Sequence, residues 1–350
     1  MDQRESYAVE LLDRVVYHGQ RGSRKPIPMN YPPLAGYIVG IWPWRALFFI
    51  VLPLVLLNFV LALVSMKNVT QQTDPKVDLP SIVLSTFGFG GLLYGFSIAG
   101  TRGWTDLLVI FTIVVGLLLV LVFAKRQLKL RQPILEMRVF RNRHFLLSSL
   151  IGVVVFTSMV GANNILPVLM QDMLGYSPFE SGLALLPGTL LMGLTMPVAG
   201  TLFDKFGIRI LTFTGLALIL VTSILLSDLT TESTFRYITI IYTFRLLGTG
   251  LTMMPLTTFA MNALKDILIP HGTAMNNTMR QIGGSLFTAM MVTIMTGVTL
   301  RLSDGSPTAM EEVTGVNASF IFSAAMAAAG IVMAFFLKEQ THGDNASRKQ

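Results

Sequence analysis

Cysteine is absent from the 350 residues, which excludes disulfides, thiolate metal sites and cysteine nucleophiles and leaves the compartment open. Charge is scarce as well: 13% of residues are Asp, Glu, Lys or Arg, against roughly a quarter in an ordinary soluble domain. The four histidines, His18, His144, His271 and His342, fall at the ends of apolar stretches or in tails. No HExxH, Walker P-loop or GxSxG occurs, and Gly283-Gly284-Ser285-Leu286-Phe287 lacks the last glycine of a nucleophile elbow. Neither an enzyme nor an ATP-driven pump is expected, and nothing calls for a metal. Residues 1–30 hold no apolar segment of the kind a signal peptide needs.

What the chain has instead is apolar length. Hydrophobic residues make up 52% of it, in runs long enough to cross a hydrocarbon layer of about 30 Å as helices. Nine complete spans are expected, at 45–66, 78–99, 105–124, 144–170, 181–201, 208–226, 235–263, 273–300 and 319–337. A shorter apolar stretch at 34–42 covers less than half a bilayer and reads as the tail of a further span. The fold class is therefore an all-α membrane protein.

Loop charges set an orientation. One set of alternate loops collects Lys67, Lys76, the run from Lys125 to Arg143, Lys205, Arg209, Lys265 and the C-terminal Lys338, Arg348 and Lys349; the other holds Arg45, Arg102, Arg236 and Arg301. The basic set is expected in the cytoplasm with the C-terminus. The net charge of +7 then reflects this bias, and no nucleic-acid partner is implied. Residues 1–31, with five basic residues, would lie on the opposite side, a conflict that reads either as missing upstream helices, with an unrelated segment in their place, or as a strained first span.

Several motifs are specific. Pro32 and Gly36 sit in Tyr31-Pro32-Pro33-Leu34-Ala35-Gly36, where small residues and proline suit close backbone approach and bending. Leu166-Pro167-Val168-Leu169-Met170-Gln171-Asp172-Met173-Leu174-Gly175-Tyr176-Ser177 is followed by Gly200-Thr201-Leu202-Phe203-Asp204-Lys205-Phe206-Gly207-Ile208-Arg209. In the second, glycine permits a tight turn, Asp204 can pair or cap, and Lys205 and Arg209 can bond to helix ends. Further on, Asn276 with Arg280 and Asn277 with Gln281 are four apart and share helical faces. Arg245 is a second cation far inside a span, and such charges must face protein or water.

These segments resemble the fourteen-helix drug:proton antiporters of the major facilitator superfamily, from Pro32 to the C-terminus. The resemblance implies a partial major facilitator fold with five regions. These are a polar segment 1–31; the end of helix five and helix six at 32–66; an inserted helix pair and basic loop at 67–142; a C-terminal six-helix bundle at 143–338; and a tail at 339–350. It implies a multidrug exporter in the plasma (inner) membrane that takes small amphipathic drugs, contacts lipid and runs on the proton gradient without a bound cofactor. Gly200, Asp204, Lys205, Gly207 and Arg209 match its gating loop, Pro32 and Gly36 a remnant of its antiporter motif. Arg245, Asn276, Asn277, Arg280, Gln281, Met192 and Met196 become candidates for the substrate cavity, although the two arginines serve equally as helix anchors. Every one of the nineteen acidic residues lies in a tail, a loop or near a helix end, so no carboxylate stands at mid-span to carry a proton. A non-transporting membrane module, partnered by separate N-terminal helices, stays open beside the exporter.

Overall fold

A computed structural model describes residues 45–65, 78–130, 133–303 and 306–337. Pro32, Gly36, the stretch 34–42 and the polar segment 1–31 lie outside the described residues. Within them all regular structure is helical: α1 Ala46–Ser65, α2 Leu79–Arg102, α3 Leu107–Lys129, α4 Arg143–Val168, α5 Pro178–Leu226, α6 Phe235–Asn262, α7 Ile269–Leu302 and α8 Ala309–Ala334. Polar residues start them by occupying backbone N–H groups that the first turn leaves free. Asp106 caps α3, Asn142 caps α4, Thr234 caps α6, and Ser177 with Glu180 and Thr308 with Glu311 form reciprocal caps on α5 and α8.

Among the described residues six helices are long and apolar enough to span a membrane: Leu79–Gly100, Leu107–Lys129, Arg143–Met173, Pro178–Leu226, Asp266–Leu302 and Ala309–Ala334. The fourth, at 49 residues, would be about 74 Å long as one rod, more than twice a bilayer. It is broken at Gly207, whose φ of 76° is left-handed, so α5 consists of two spans joined without a loop. The helix α6 falls outside the set of six because arginines, threonines and tyrosines dilute its apolar residues, and α1 offers a shorter apolar run, Phe48–Val64. The last helix differs from its expected position by beginning at Ala309, ten residues before Ser319, because the Thr308 cap starts it there and Val313 and Val316 are already buried.

Packing of α4 to α8 makes the bundle. Each half of α5 and the helices α6, α7 and α8 alternate in direction, and α5 against α6 is the most extensive pairing. Two apolar layers fill it. One, with Leu166, Leu185, Tyr242, Met291 and Phe320, lies toward the end where α4 finishes; the other, with Ile151, Leu216, Phe259 and Ala327, toward the end where α4 begins. Arg143, Lys205, Arg209 and Lys265 gather at the second end, as the alternation of loops requires.

Ahead of the bundle, α2 and α3 form a hairpin in which glycines let the backbones touch: the Cα of Gly116 lies 3.3 Å from where a Cβ on Gly91 would stand. The hairpin docks on α7. Gly100 packs against Ala289 and Val292, the Trp104 indole donates to Thr293 Oγ1 at 2.8 Å, and Ala99, Val109 and Ala289 share a small buried core. At its other end Arg126 is bonded to Asp78 and Ser81, and Gln127 to Ser81 and the Leu135 backbone, which ties the hairpin to the segment leading into α4. Apolar side chains such as Phe48 and Leu63 on α1 and Leu107 and Phe111 on α3 face outward, as helices bounded by lipid require.

Candidate functional site

The docking of α2 onto α7 frames a half-open cavity of about 430 Å³. Its walls are Leu93, Phe96, Ser97 and Gly100 from α2; Phe156, Val160, Asn164, Ile165 and Val168 from α4; and Gln281, Gly284, Ser285, Thr288, Ala289, Val292 and Met295 from α7. No charged residue is among them. Aromatic and aliphatic surface interrupted by a few hydroxyls and amides is the composition of a small-molecule site. It runs from the middle of the bundle toward the end remote from the basic loops. Phe156 and Gly284 close its near end: a Cβ on Gly284 would lie 3.2 Å from the Phe156 ring, so glycine there leaves the ring room.

Of the residues singled out from the sequence, Gln281 lines this cavity, and it is exposed together with Asn277, one turn earlier on the same face of α7. Asn276 and Arg280 share the other, buried face, as their spacing requires. Arg280 donates to Thr257 Oγ1 at 2.9 Å and lies against Gly152 of α4, whose missing side chain makes space for it. Its Nε and the Asn276 Oδ1 are buried without partners among the described residues.

Arg245 lies inside the bundle rather than on the cavity wall. It is fully buried, and it donates to Ser223 Oγ at 2.7 Å, to Ser158 Oγ at 2.6 Å and carbonyl at 3.1 Å, and to Ser323 Oγ at 2.8 Å. Its guanidinium also stands 5.8 Å from the Phe320 ring centre. One cation thereby joins α4, the second half of α5, α6 and α8, using neutral hydroxyls where a carboxylate would be usual. Beside it Tyr242 donates to Asn163, while the next residue, Asn164, faces the cavity. Met192 packs beside Gly250 at the contact of α5 with α6, and neither Met192 nor Met196 is on the cavity wall.

The loop motif is a helical kink. Gly207 supplies the left-handed turn; a side chain on Gly200 would meet nothing within 4 Å, so close packing does not require glycine there. Asp204 is exposed and, among the described residues, forms neither an ion pair nor a cap. Lys205 sits 5.3 Å from the Phe206 ring centre, and Arg209 lies 5.9 Å from those of Phe213 and Phe335, which brings the kink onto the end of α8. Sequence reasoning did not reach Phe96, Phe156, Ser285, Thr288 or Met295: nothing local marks them, since the cavity exists only once α2 meets α7. The Leu166–Ser177 motif also carries a π turn at Leu169–Met173 and a left-handed Gly175 that the sequence pattern had not announced.

A bundle of long apolar helices holding an uncharged cavity has the form of a membrane carrier. Residues 28–288 match the profile of the Major Facilitator Superfamily. The chain is 43% identical over 314 residues to the uncharacterized MFS-type transporter YcnB of Bacillus subtilis (89% of this chain, 66% of that protein). It is 35% identical over 320 residues to the lincomycin resistance protein LmrB of the same organism (89% and 67%). With the multidrug resistance protein B homolog of Mycobacterium tuberculosis H37Rv it shares 28% over 274 residues (77% and 51%). The chain belongs to the Major Facilitator Superfamily, and it spans about two thirds of the length of the first two relatives and half of the third.

Proposed function

We propose that the protein exports small amphipathic drugs across the plasma (inner) membrane in exchange for protons, with the cavity between α2, α4 and α7 as part of the drug's path. The observation that carries this is the cavity itself, largely apolar, free of charge and set in the bundle of a transporter family. Relatives named for lincomycin and multidrug resistance support the choice of drugs as substrates. The energy source would be the proton gradient, with no bound cofactor, and lipid would surround the outward faces of α1 and α3.

Within this reading Gly200, Asp204, Lys205, Gly207 and Arg209 form the cytoplasmic gating loop. Asp204 is exposed and has no ion pair among the described residues, which leaves it able to take a basic partner in a second state, while the Gly207 kink is a place where two rigid rods can pivot. Pro32 and Gly36 are assigned to the antiporter motif on resemblance. The basic end of the bundle and the C-terminus would face the cytoplasm. Because the chain has no cysteine, Lys205→Cys and Thr230→Cys carry unique thiols. An impermeant reagent on intact cells should label the second and spare the first, and the reverse pattern overturns the orientation.

Export is tested by ethidium and lincomycin efflux from a host stripped of its own exporters, with membrane abundance measured alongside. Uncoupler-sensitive efflux that falls in Asp204→Asn at equal abundance supports the reading. Efflux that persists after the proton gradient is collapsed removes proton coupling. A second reading, a membrane module that transports only in company with further helices, is favoured by one observation: among the described residues no carboxylate stands at mid-depth of a helix. Efflux that appears only on co-expression with a separate set of helices would select it.

A further inference from the structure

We infer that Ser285 and Thr288 on α7 are the polar recognition pair of the cavity, and that the ligand they select is an amphipath with an uncharged, hydrogen-bonding head such as an amide, ester or alcohol. This rests on reading the cavity as a ligand site. The other hydroxyls of α7 show what is unusual about the pair. Thr273, Thr278, Thr293, Thr296 and Thr299 each donate to the carbonyl four residues earlier, at 2.7 to 3.0 Å. That is how a hydroxyl on a helix in apolar surroundings is ordinarily satisfied. Ser285 and Thr288 depart from it: their hydroxyl oxygens are buried and have no partner among the described residues, and both residues lie on the cavity wall.

A hydroxyl that gives up its own helix for an apolar hollow is left with a donor and two acceptor positions to fill. A buried polar group without a partner costs free energy, and a ligand that supplies the partner recovers it. Ser285 and Thr288 are three residues apart and so share one face of α7, with Gly284 beside them adding no side chain to the wall, so a single head group can reach both. The rest of the wall fixes the ligand's other properties. Phe96, Phe156 and Met295 suit an apolar body. With no charged side chain on the wall, an ionised head of either sign would enter unpaired, at high cost. Arg280, one turn toward the start of α7, does not serve an anion there, because its guanidinium is turned onto Gly152 and Thr257.

Trp104 makes occupancy measurable, because its ring stands 6.4 Å from that of Phe96 on the wall. In a Trp42→Phe/Trp44→Phe background it is the one tryptophan left. Four bromine-bearing probes of equal chain length, titrated against the protein in lipid nanodiscs, would quench it on entering: bromododecanamide, bromododecanoate, bromododecyl-trimethylammonium and the headless bromododecane. The amide should quench at the lowest concentration. Ser285→Ala/Thr288→Val should weaken the amide about 10-fold and leave the headless probe unchanged. Since neither hydroxyl has a partner among the described residues, the double variant should unfold at the parent's temperature or above it, and Ser285→Ala alone should give a smaller version of the same loss of amide affinity. Two results overturn the inference: an amide affinity indifferent to the double variant, or tighter binding of either ionic probe. If no probe quenches, the headless one included, the cavity reading itself falls, which separates the two failures.

Discussion

Arg245 and Arg280 are the same residue type on neighbouring helices, both withdrawn from solvent, and they are held very differently. Arg245 has three serines from three other helices and a serine carbonyl within bonding distance. Arg280 has one threonine and a glycine against its guanidinium, and the Nε of both arginines is buried without a partner among the described residues. A cation bonded to three other helices acts as a cross-link, whereas one with a single side-chain bond ties α7 only to α6. Burial of a charge, taken alone, therefore says little about its role; the number and origin of its donors' acceptors say more.

The sharpest way to break this contrast is to remove Arg245. Arg245→Ala deletes several charge-assisted bonds and leaves a void among fully buried neighbours, so stability should fall on the order of 3–5 kcal/mol. The measurement is thermal unfolding of the purified chain in detergent. Replacing Ser158, Ser223 and Ser323 together by alanine should reproduce most of the loss, because it strands the guanidinium. An unchanged Tm in both variants would show that the four-helix node contributes nothing.

A smaller effect is expected where the node depends on close helix approach. Gly248 is one turn beyond Arg245, and a Cβ there would stand 2.7 Å from the Gly215 carbonyl and 2.9 Å from Leu218 Cβ. Gly248→Ala should push α6 away from the second half of α5 and cost about 1–3 kcal/mol. At Gly152, the corresponding contact is the far end of the Arg280 side chain at 3.2 Å, which can move aside. Gly152→Ala and Arg280→Gln should each cost about 1 kcal/mol or less in the same assay. A larger loss from either than from Gly248→Ala would invert the ranking of the two arginines.

How much of this was legible in the sequence differs between the two. Apolar run length located every described helix, because each must reach across a bilayer, but it set the start of α8 ten residues too late. It could not tell that 201 and 208 are joined by a kinked helix rather than a loop, since Gly207 satisfies either geometry. Both arginines were conspicuous as charges inside apolar runs, and the four-residue spacing correctly sorted Asn276 and Arg280 from Asn277 and Gln281. The serines that hold Arg245 were not legible, as Ser158 and Ser323 are ordinary helical serines brought together only by packing. The cavity was hidden for the same reason. Met192 and Met196 drew attention through flexible chemistry and ended at or near a helix contact, while Met295, with no distinguishing neighbour, reached the wall.

A third arginine extends the comparison to the surface, where the partner is a carboxylate. Arg126 meets Asp78 at 2.9 Å, with Ser81 donating to the same carboxylate, and this pair fastens the α2–α3 hairpin outside the membrane-spanning segment of α2. The bonds from Arg126 and Ser81 hold the Asp78 carboxyl down, from its usual 3.8 to about 2. A depressed folded pKa means that the contribution is complete above pH 3.8 and is lost as pH falls through about 2. Protection of the first turn of α2 against hydrogen exchange, corrected for the intrinsic pH dependence of exchange, should therefore be flat through neutral pH and drop only in that acid window. Asp78→Asn should start from the lower protection and show no further step. Because the pair is reached by solvent, salt should weaken it, and the effect should be the smallest of the series. A step at clearly higher pH in the parent chain, or one that survives in Asp78→Asn, would assign the titration to another group and remove the ion pair from the account of how the hairpin is held.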